Sequence, residues 1–117
     1  MVKLFFNTSK WHFSIQYLIM LQKDYFVYIV KCSDNSYYTG VTSNLEKRIN
    51  EHNSGLFEGY TSKRLPVNLV YSNRFADVNE AIRAEKQIKG WSRAKKEALM
   101  RGDFETLVKL SKSKKSD

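Results

Sequence analysis

Five residues of this chain have the types and spacing to do chemistry together: Tyr28, Tyr38, Arg48, His52 and Glu85. A carboxylate can hold a divalent ion, and a guanidinium can neutralise charge developing on a phosphate. A tyrosine or an imidazole can take the proton of an attacking water. The set suits metal-assisted hydrolysis of a phosphodiester. A free tyrosine, with a pKa near ~10, is a poor base at neutral pH, so a neighbouring cation has to lower it.

Periodicity places these residues. With Val78 as origin and ~100° per residue, Ala81, Ile82 and Ile88 fall on one helical stripe and Glu85 at ~340°, in its middle. A carboxylate there is partly buried and needs a partner or a metal; a structural ion pair is the plainer account. Arg48 and His52 form an i,i+4 pair on the face that also carries Leu45 and Ile49, which suggests the rim of a cleft. The plainer account is two long side chains covering the core with their stems. For Tyr28 and Tyr38 the turn decides. A two-residue loop at Asp34-Asn35 sends them to opposite faces. A three-residue loop over 33–35, with Asn35 left-handed, pairs Val30 with Tyr38 and Tyr28 with Gly40, so both point the same way.

The elements that must position them read as follows. Residues 25–32 are a β-branched and aromatic run and predict a strand, and 37–41 predict a second, closing a hairpin. Ser43 with Glu46 has the capping-box pattern, so a helix starts there and ends near Asn53, with Gly55 as its left-handed stop. After a loop over 56–64, Pro66 opens a third strand, 67–71 or as far as Phe75. Asp77 with Glu80 caps a second helix that ends before Gly90. Ser92 caps a third helix, to about Met100, and a weaker helical stretch covers 104–110. The order β-β-α-β-α-α predicts an α+β fold, a small three-stranded, mainly antiparallel sheet flanked by helices. Three stretches follow: an N-terminal extension at 1–24, a domain at 25–102, and a C-terminal helix with a basic, disordered tail at 103–117.

Charge narrows the partners. Lys and Arg outnumber Asp and Glu by 20 to 12, a net +8, which favours an anionic partner, nucleic acid ahead of a membrane surface. Residues 61–102 hold ten basic and four acidic residues, so the anion-attracting surface is expected there. Its candidates are Lys63, Arg64, Arg74, Lys86, Lys89, Arg93, Lys95 and Lys96. Such residues give affinity without sequence specificity. Trp91 is a candidate for stacking on a base, packing between two helices being the plainer account. A single cysteine, Cys32, excludes an intramolecular disulfide and a multi-cysteine zinc site and fits a reducing, cytoplasmic home. No stretch approaches ~18 consecutive apolar residues, so no membrane-spanning helix is expected. Residues 1–22 are apolar and aromatic but interrupted at 7–10 and at His12, and no small-residue cleavage site follows, which argues against a signal peptide. Met20 is a candidate for the natural start.

On these residues the chain resembles the GIY-YIG endonucleases. Phe26-Val27-Tyr28 and Tyr38-Thr39-Gly40, with the tyrosines ten positions apart, are similar to the two signature tripeptides. Arg48, ten residues after Tyr38, and His52, four further on, stand where the family has its arginine and its His or Tyr. Glu85 resembles the family's metal-binding glutamate. The likeness runs over residues 25–101 and is strongest to small stand-alone bacterial members. There are departures: the first tripeptide lacks its Gly, Thr39 replaces Ile, and Val41 stands where some relatives have Lys. The resemblance implies a metal-dependent DNA endonuclease, with branched or damaged DNA among its candidate substrates, acting as a monomer or weak dimer. It implies one Mg²⁺ or Mn²⁺ on Glu85, and Arg48 stabilising the transition state. Tyr38, with Tyr28 or His52 close by, would remove the proton of water, and which of them is the base stays open. The alternatives are a non-catalytic or weakly catalytic nucleic-acid-binding module of the same fold, and an adaptor built on residues 1–24.

Overall fold

The computed structural model describes residues 23–56 and 58–115. The expectations for residues 1–22 lie outside the described residues. The elements are β1 (Tyr25–Lys31), β2 (Tyr37–Thr42), α1 (Leu45–Asn53), β3 (Asn68–Phe75), α2 (Val78–Lys89), α3 (Arg93–Arg101) and α4 (Phe104–Lys115). The three strands form one antiparallel sheet in the order β2-β1-β3. The expected α+β order is what the chain adopts.

β1 is the central strand, and Val27, Tyr28, Ile29 and Val30 are all fully buried. Its unbroken apolar run follows from cover on both faces. Val27 and Ile29 pack with Ala81 and Ile88 of α2, with Trp91, Leu99 and Met100 around them. Tyr28 and Val30 pack with Cys32 and Val67, against Tyr38, Leu45 and Ile49. α1 therefore covers one face of the sheet, and α2 with the last turn of α3 covers the other.

The hairpin takes the three-residue turn. Asn35 has φ of 70°, its N–H donates to the Cys32 carbonyl (2.9 Å), and the Cys32 N–H donates to the Ser36 carbonyl (2.8 Å). Val30 then faces Tyr38 and Tyr28 faces Gly40. Both tyrosines project toward α1. Gly40 is required by this register, since a Cβ at that position would lie 2.5 Å from Tyr28 Oη and 2.6 Å from Cζ.

Several boundaries differ from expectation. The cap of α1 is Asn44, not Ser43: its Oδ1 accepts from the Lys47 N–H (3.1 Å), while Thr42 Oγ1 accepts from the Asn44 N–H (3.1 Å). Asparagine caps as well as serine, and the threonine fixes which residue stands at the cap. On α2, Ala81 and Ile88 are buried, but Val78 and Ile82 are more than one-third exposed. The buried stripe is displaced toward Ala81, Ala84 and Ile88 because alanines let the helix approach the sheet closely. Glu85 stays inside it, its side chain 14% exposed. The tail expected to be disordered from Ser111 instead continues α4 to Lys115, with Ser111 Oγ donating to the Leu107 carbonyl (3.0 Å).

One link joins α1 to the loop that follows it. Asn53 Oδ1 accepts from the Val67 N–H (2.8 Å) and Asn53 Nδ2 donates to the Val67 carbonyl (3.1 Å). The side-chain amide thus treats Val67 as a strand neighbour would and closes the base of the loop.

Adjacent positions of β2 should respond oppositely to substitution. Gly40→Ala has to displace the buried Tyr28 ring and should cost about 1–3 kcal/mol. Thr39 is buried and its hydroxyl has no hydrogen-bond partner among the described residues, so Thr39→Val should gain about 1 kcal/mol. Urea unfolding of the two variants checks both signs.

Candidate active site

Tyr28, placed by the central strand, is fully buried. Its Oη lies 2.9 Å from His52 Nε2. Burial pushes the phenol up to about 12, the Tyr38 phenol adds to the rise, and Arg48 opposes both. His52, on the last turn of α1, is 4% exposed, and its Nδ1 lies 2.9 Å from Thr61 Oγ1. Burial first, then the Arg48 charge, hold the imidazole below its ordinary pKa, so it is neutral at pH 7.

Tyr38 is half-buried and sits beside this chain. Its ring is edge-on to His52, with centroids 5.5 Å apart, and lies almost parallel to Tyr60 at 6.2 Å. Arg48 Nε is 3.5 Å from Glu51 Oε1. A cavity of about 90 Å³ opens over these groups, lined by Tyr38, Arg48, His52, Glu58, Tyr60 and Thr61.

The structure therefore brings four of the five expected residues together. Tyr38, Arg48 and His52 line the cavity and Tyr28 lies beneath it. Glu85 comes from the opposite layer. It does not line the cavity, but it is near enough for its charge to act on Tyr28. Its carboxylate is 3.9 Å from Lys89 Nζ, a loose i,i+4 pair. Glu58, Tyr60 and Thr61 are the lining residues that spacing could not find. They come from an irregular loop with no periodicity, and their signal was only that an aromatic and a hydroxyl residue stand side by side.

The expected basic surface is thinner than its composition. Arg64 donates to Asp34 (3.0 Å) and to the Tyr60 carbonyl (2.6 Å), and its guanidinium lies 3.9 Å over the Tyr60 ring. Arg74 pairs with Asp24 (2.6 Å). Arg93 pairs with Glu97 (3.2 Å) and donates to the Asn35 carbonyl (2.6 Å). Lys96 is 9% exposed, and burial together with the Lys89 charge pulls its pKa down. Lys63, Lys86 and Lys89 are exposed. Lys95 is half-buried, its Nζ 5.9 Å from the centre of the Trp91 ring. Trp91 is itself half-buried, in the core between α2 and α3, so it packs where base stacking was considered.

The GIY-YIG catalytic domain profile matches residues 24–98. The chain belongs to the GIY-YIG family. It is 53% identical over 72 residues to UPF0213 protein SH2523 of Staphylococcus haemolyticus, covering 62% of this chain and 88% of the relative. It is 44% identical over 78 residues to UPF0213 protein YazA of Bacillus subtilis, covering 67% and 79%. The solution NMR structure of EF2693 from E. faecalis superposes with a TM-score of 0.51 at 36% identity, covering 70% of this chain and 88% of that one. The second signature tripeptide of this GIY-YIG domain thus has a physical role for each end. Tyr38 faces the cavity, and Gly40 makes room for the tyrosine of the first.

Two buried titrating groups of the site set a pH window for stability. The folded pKa of His52 lies below its unfolded value of ~6.5, so stability is held above that pH and lost as pH falls from about 6.5. The folded pKa of Tyr28 lies above its unfolded ~10, so stability is held below that value and lost as pH rises toward about 12. Urea unfolding across pH should show both losses. His52→Gln should remove its share of the acidic loss, and an unchanged acidic slope in that variant would contradict the assignment.

Proposed function

We propose that this protein is a metal-dependent endonuclease that hydrolyses phosphodiester bonds in DNA. The observation that carries the reading is the convergence of Tyr38, Arg48 and His52 on one small cavity, with Tyr28 hydrogen-bonded beneath it. A phosphate oxygen entering the cavity would meet Arg48, a fixed cation in a site of restricted water, where stabilisation of developing negative charge is strongest. Tyr38 is the tyrosine that reaches the cavity. Tyr28, buried and with its pKa raised to about 12, holds the others in place rather than taking a proton from water.

A divalent ion fits the donor set on chemical grounds. Among the described residues no group of three or more His, Cys, Asp or Glu could enclose a metal. Mg²⁺ keeps several waters and is commonly held by one or two carboxylates plus substrate phosphate, which Glu85 alone can satisfy. The pair with Lys89 is loose enough to yield. When bound, the ion would supply positive charge at the phosphate and a more acidic water. Exposed Lys63, Lys86 and Lys89 would add sequence-independent backbone affinity. The family membership supports the nuclease class. Branched or damaged DNA is the proposed substrate class. No helix among the described residues is long and apolar enough to cross a membrane.

Cleavage of labelled duplex, nicked, flap and four-way-junction DNAs, with Mg²⁺, Mn²⁺ or EDTA, tests the reading. Wild type should cut at least one substrate only with metal, and Arg48→Ala and Glu85→Ala should each slow cutting by roughly 10²–10³-fold. Salt-sensitive binding with no cutting by wild type would establish the binding-module alternative instead. Equal cutting by wild type and Glu85→Ala would remove the metal assignment.

A further inference from the structure

We propose that Arg64 is a positioning residue rather than a nucleic-acid contact: with Asp34 it latches the site loop to the hairpin turn and holds the Tyr60 ring against Tyr38, the phenol that faces the cavity. Its catalytic meaning rests on the nuclease reading, whereas the latch itself is set by contacts within the chain.

One guanidinium makes three different contacts. Its Nε donates to Asp34 Oδ2 (3.0 Å), its Nη1 donates to the Tyr60 carbonyl (2.6 Å), and its Cζ lies 3.9 Å from the centre of the Tyr60 ring. The backbone of the same residue is engaged as well. The Arg64 N–H donates to the Thr61 carbonyl (2.9 Å), and the Arg64 carbonyl accepts from the Ser33 N–H of the hairpin turn (2.9 Å). Asp34 is a fixed anchor, since its other oxygen accepts from the Ser36 N–H (3.1 Å) and the Ser36 hydroxyl (2.5 Å). The Ser36 hydroxyl, then its N–H, then Arg64 hold the Asp34 carboxyl below the usual range, so it is charged at neutral pH. For Arg64 to meet a phosphate, its side chain would have to leave a carboxylate, a carbonyl and a ring together.

The effect on the site runs through the rings. Tyr60 lies within 21° of parallel to Tyr38, with centres 6.2 Å apart, and Tyr38 is edge-on to His52 at 5.5 Å. All three line the cavity. His52 is buried and held by α1, but Tyr60 is 44% exposed and stands on an irregular loop. What fixes Tyr60 is the guanidinium against its ring and the same guanidinium on its carbonyl. Tyr38 is therefore packed between one ring set by a helix and another set by the latch. Lys63, next along the chain and exposed, is left as the cation of this pair that can meet a phosphate.

Substitutions that move the charge in different directions separate a latch from a phosphate contact. Arg64→Lys keeps the charge but loses the planar fork, and Asp34→Asn makes the chain more basic while removing the anchor. An exposed pair of this kind contributes little to stability, so both variants should fold. In proton NMR spectra, wild type should show close contacts between the Tyr38 and Tyr60 rings, and both variants should lose them. In the cleavage assay both should lower kcat roughly 10–100-fold with KM little changed. Binding of a labelled four-way junction in EDTA, followed against salt, should keep the wild-type slope in Arg64→Ala. The opposite pattern overturns the proposal: Arg64→Lys cutting like wild type, Asp34→Asn binding more tightly and cutting as well, and Arg64→Ala lowering the salt slope by about 1. Ring contacts that persist in both variants overturn it too, as does their loss with kcat unchanged. A wild type that cuts no DNA, with ring contacts that depend on Arg64 and Asp34, refutes the nuclease reading and leaves the latch standing.

Discussion

A phenol hydroxyl buried at the centre of the sheet has to find partners, and the architecture around the site follows from that demand. Tyr28 is fully buried on the middle strand and its hydroxyl cannot reach water. An unsatisfied polar group there would cost about 1–3 kcal/mol. The chain supplies His52 from α1 as the partner and brings the charge of Arg48, one turn earlier, close to the phenol. For that helix to present them, the hairpin must place Tyr28 on the α1 face, and the strand opposite must carry no side chain where the ring lies. Asn35 in its left-handed turn meets the first condition, and Gly40 meets the second. The signature spacing of the two tripeptides is in this sense a packing rule. A ten-position step from tyrosine to tyrosine is the interval that puts the glycine of one under the ring of the other.

How much of this the chain announced depends on whether the signal was periodic. The strands, the helix order and the left-handed Gly55 were legible because β-branched runs, caps and glycines act locally. The choice between hairpin registers was also legible, though only as two options, because a one-residue difference in the turn reverses every face. The rotation of α2 was not. Helical spacing ranks Ile82 with Ala81, but the sheet selects the alanine side because small residues let backbones approach. Most opaque was the loop. Tyr60 and Thr61 acquire meaning only through His52 and Tyr38, residues distant in sequence, and no local propensity encodes such contacts.

Charge shows a similar gap between composition and arrangement. The excess of basic residues points to an anionic partner class, yet all four arginines expected at a nucleic acid or at the site's rim, Arg48 included, are near carboxylates. Arg64, Arg74 and Arg93 bind Asp34, Asp24 and Glu97, each linking segments or turns of the chain. Exposed pairs of this kind contribute about 0–1 kcal/mol each, so their value is geometric. Asp34 and Arg64 join the hairpin turn to the site loop. The lysines carry most of the charge that remains open to solvent.

The clasp between Asn53 and Val67 bears on how such a domain can diversify. One amide side chain fixes both ends of the segment that brings Tyr60 and Thr61 to the cavity. What lies between those ends touches the rest of the fold again at Thr61 with His52 and at Arg64 with Asp34. Closing a longer segment over the same clasp costs only about 0.6 kcal/mol for each doubling of its length. The cavity wall can therefore grow in length at little cost, so long as these few contacts keep their places.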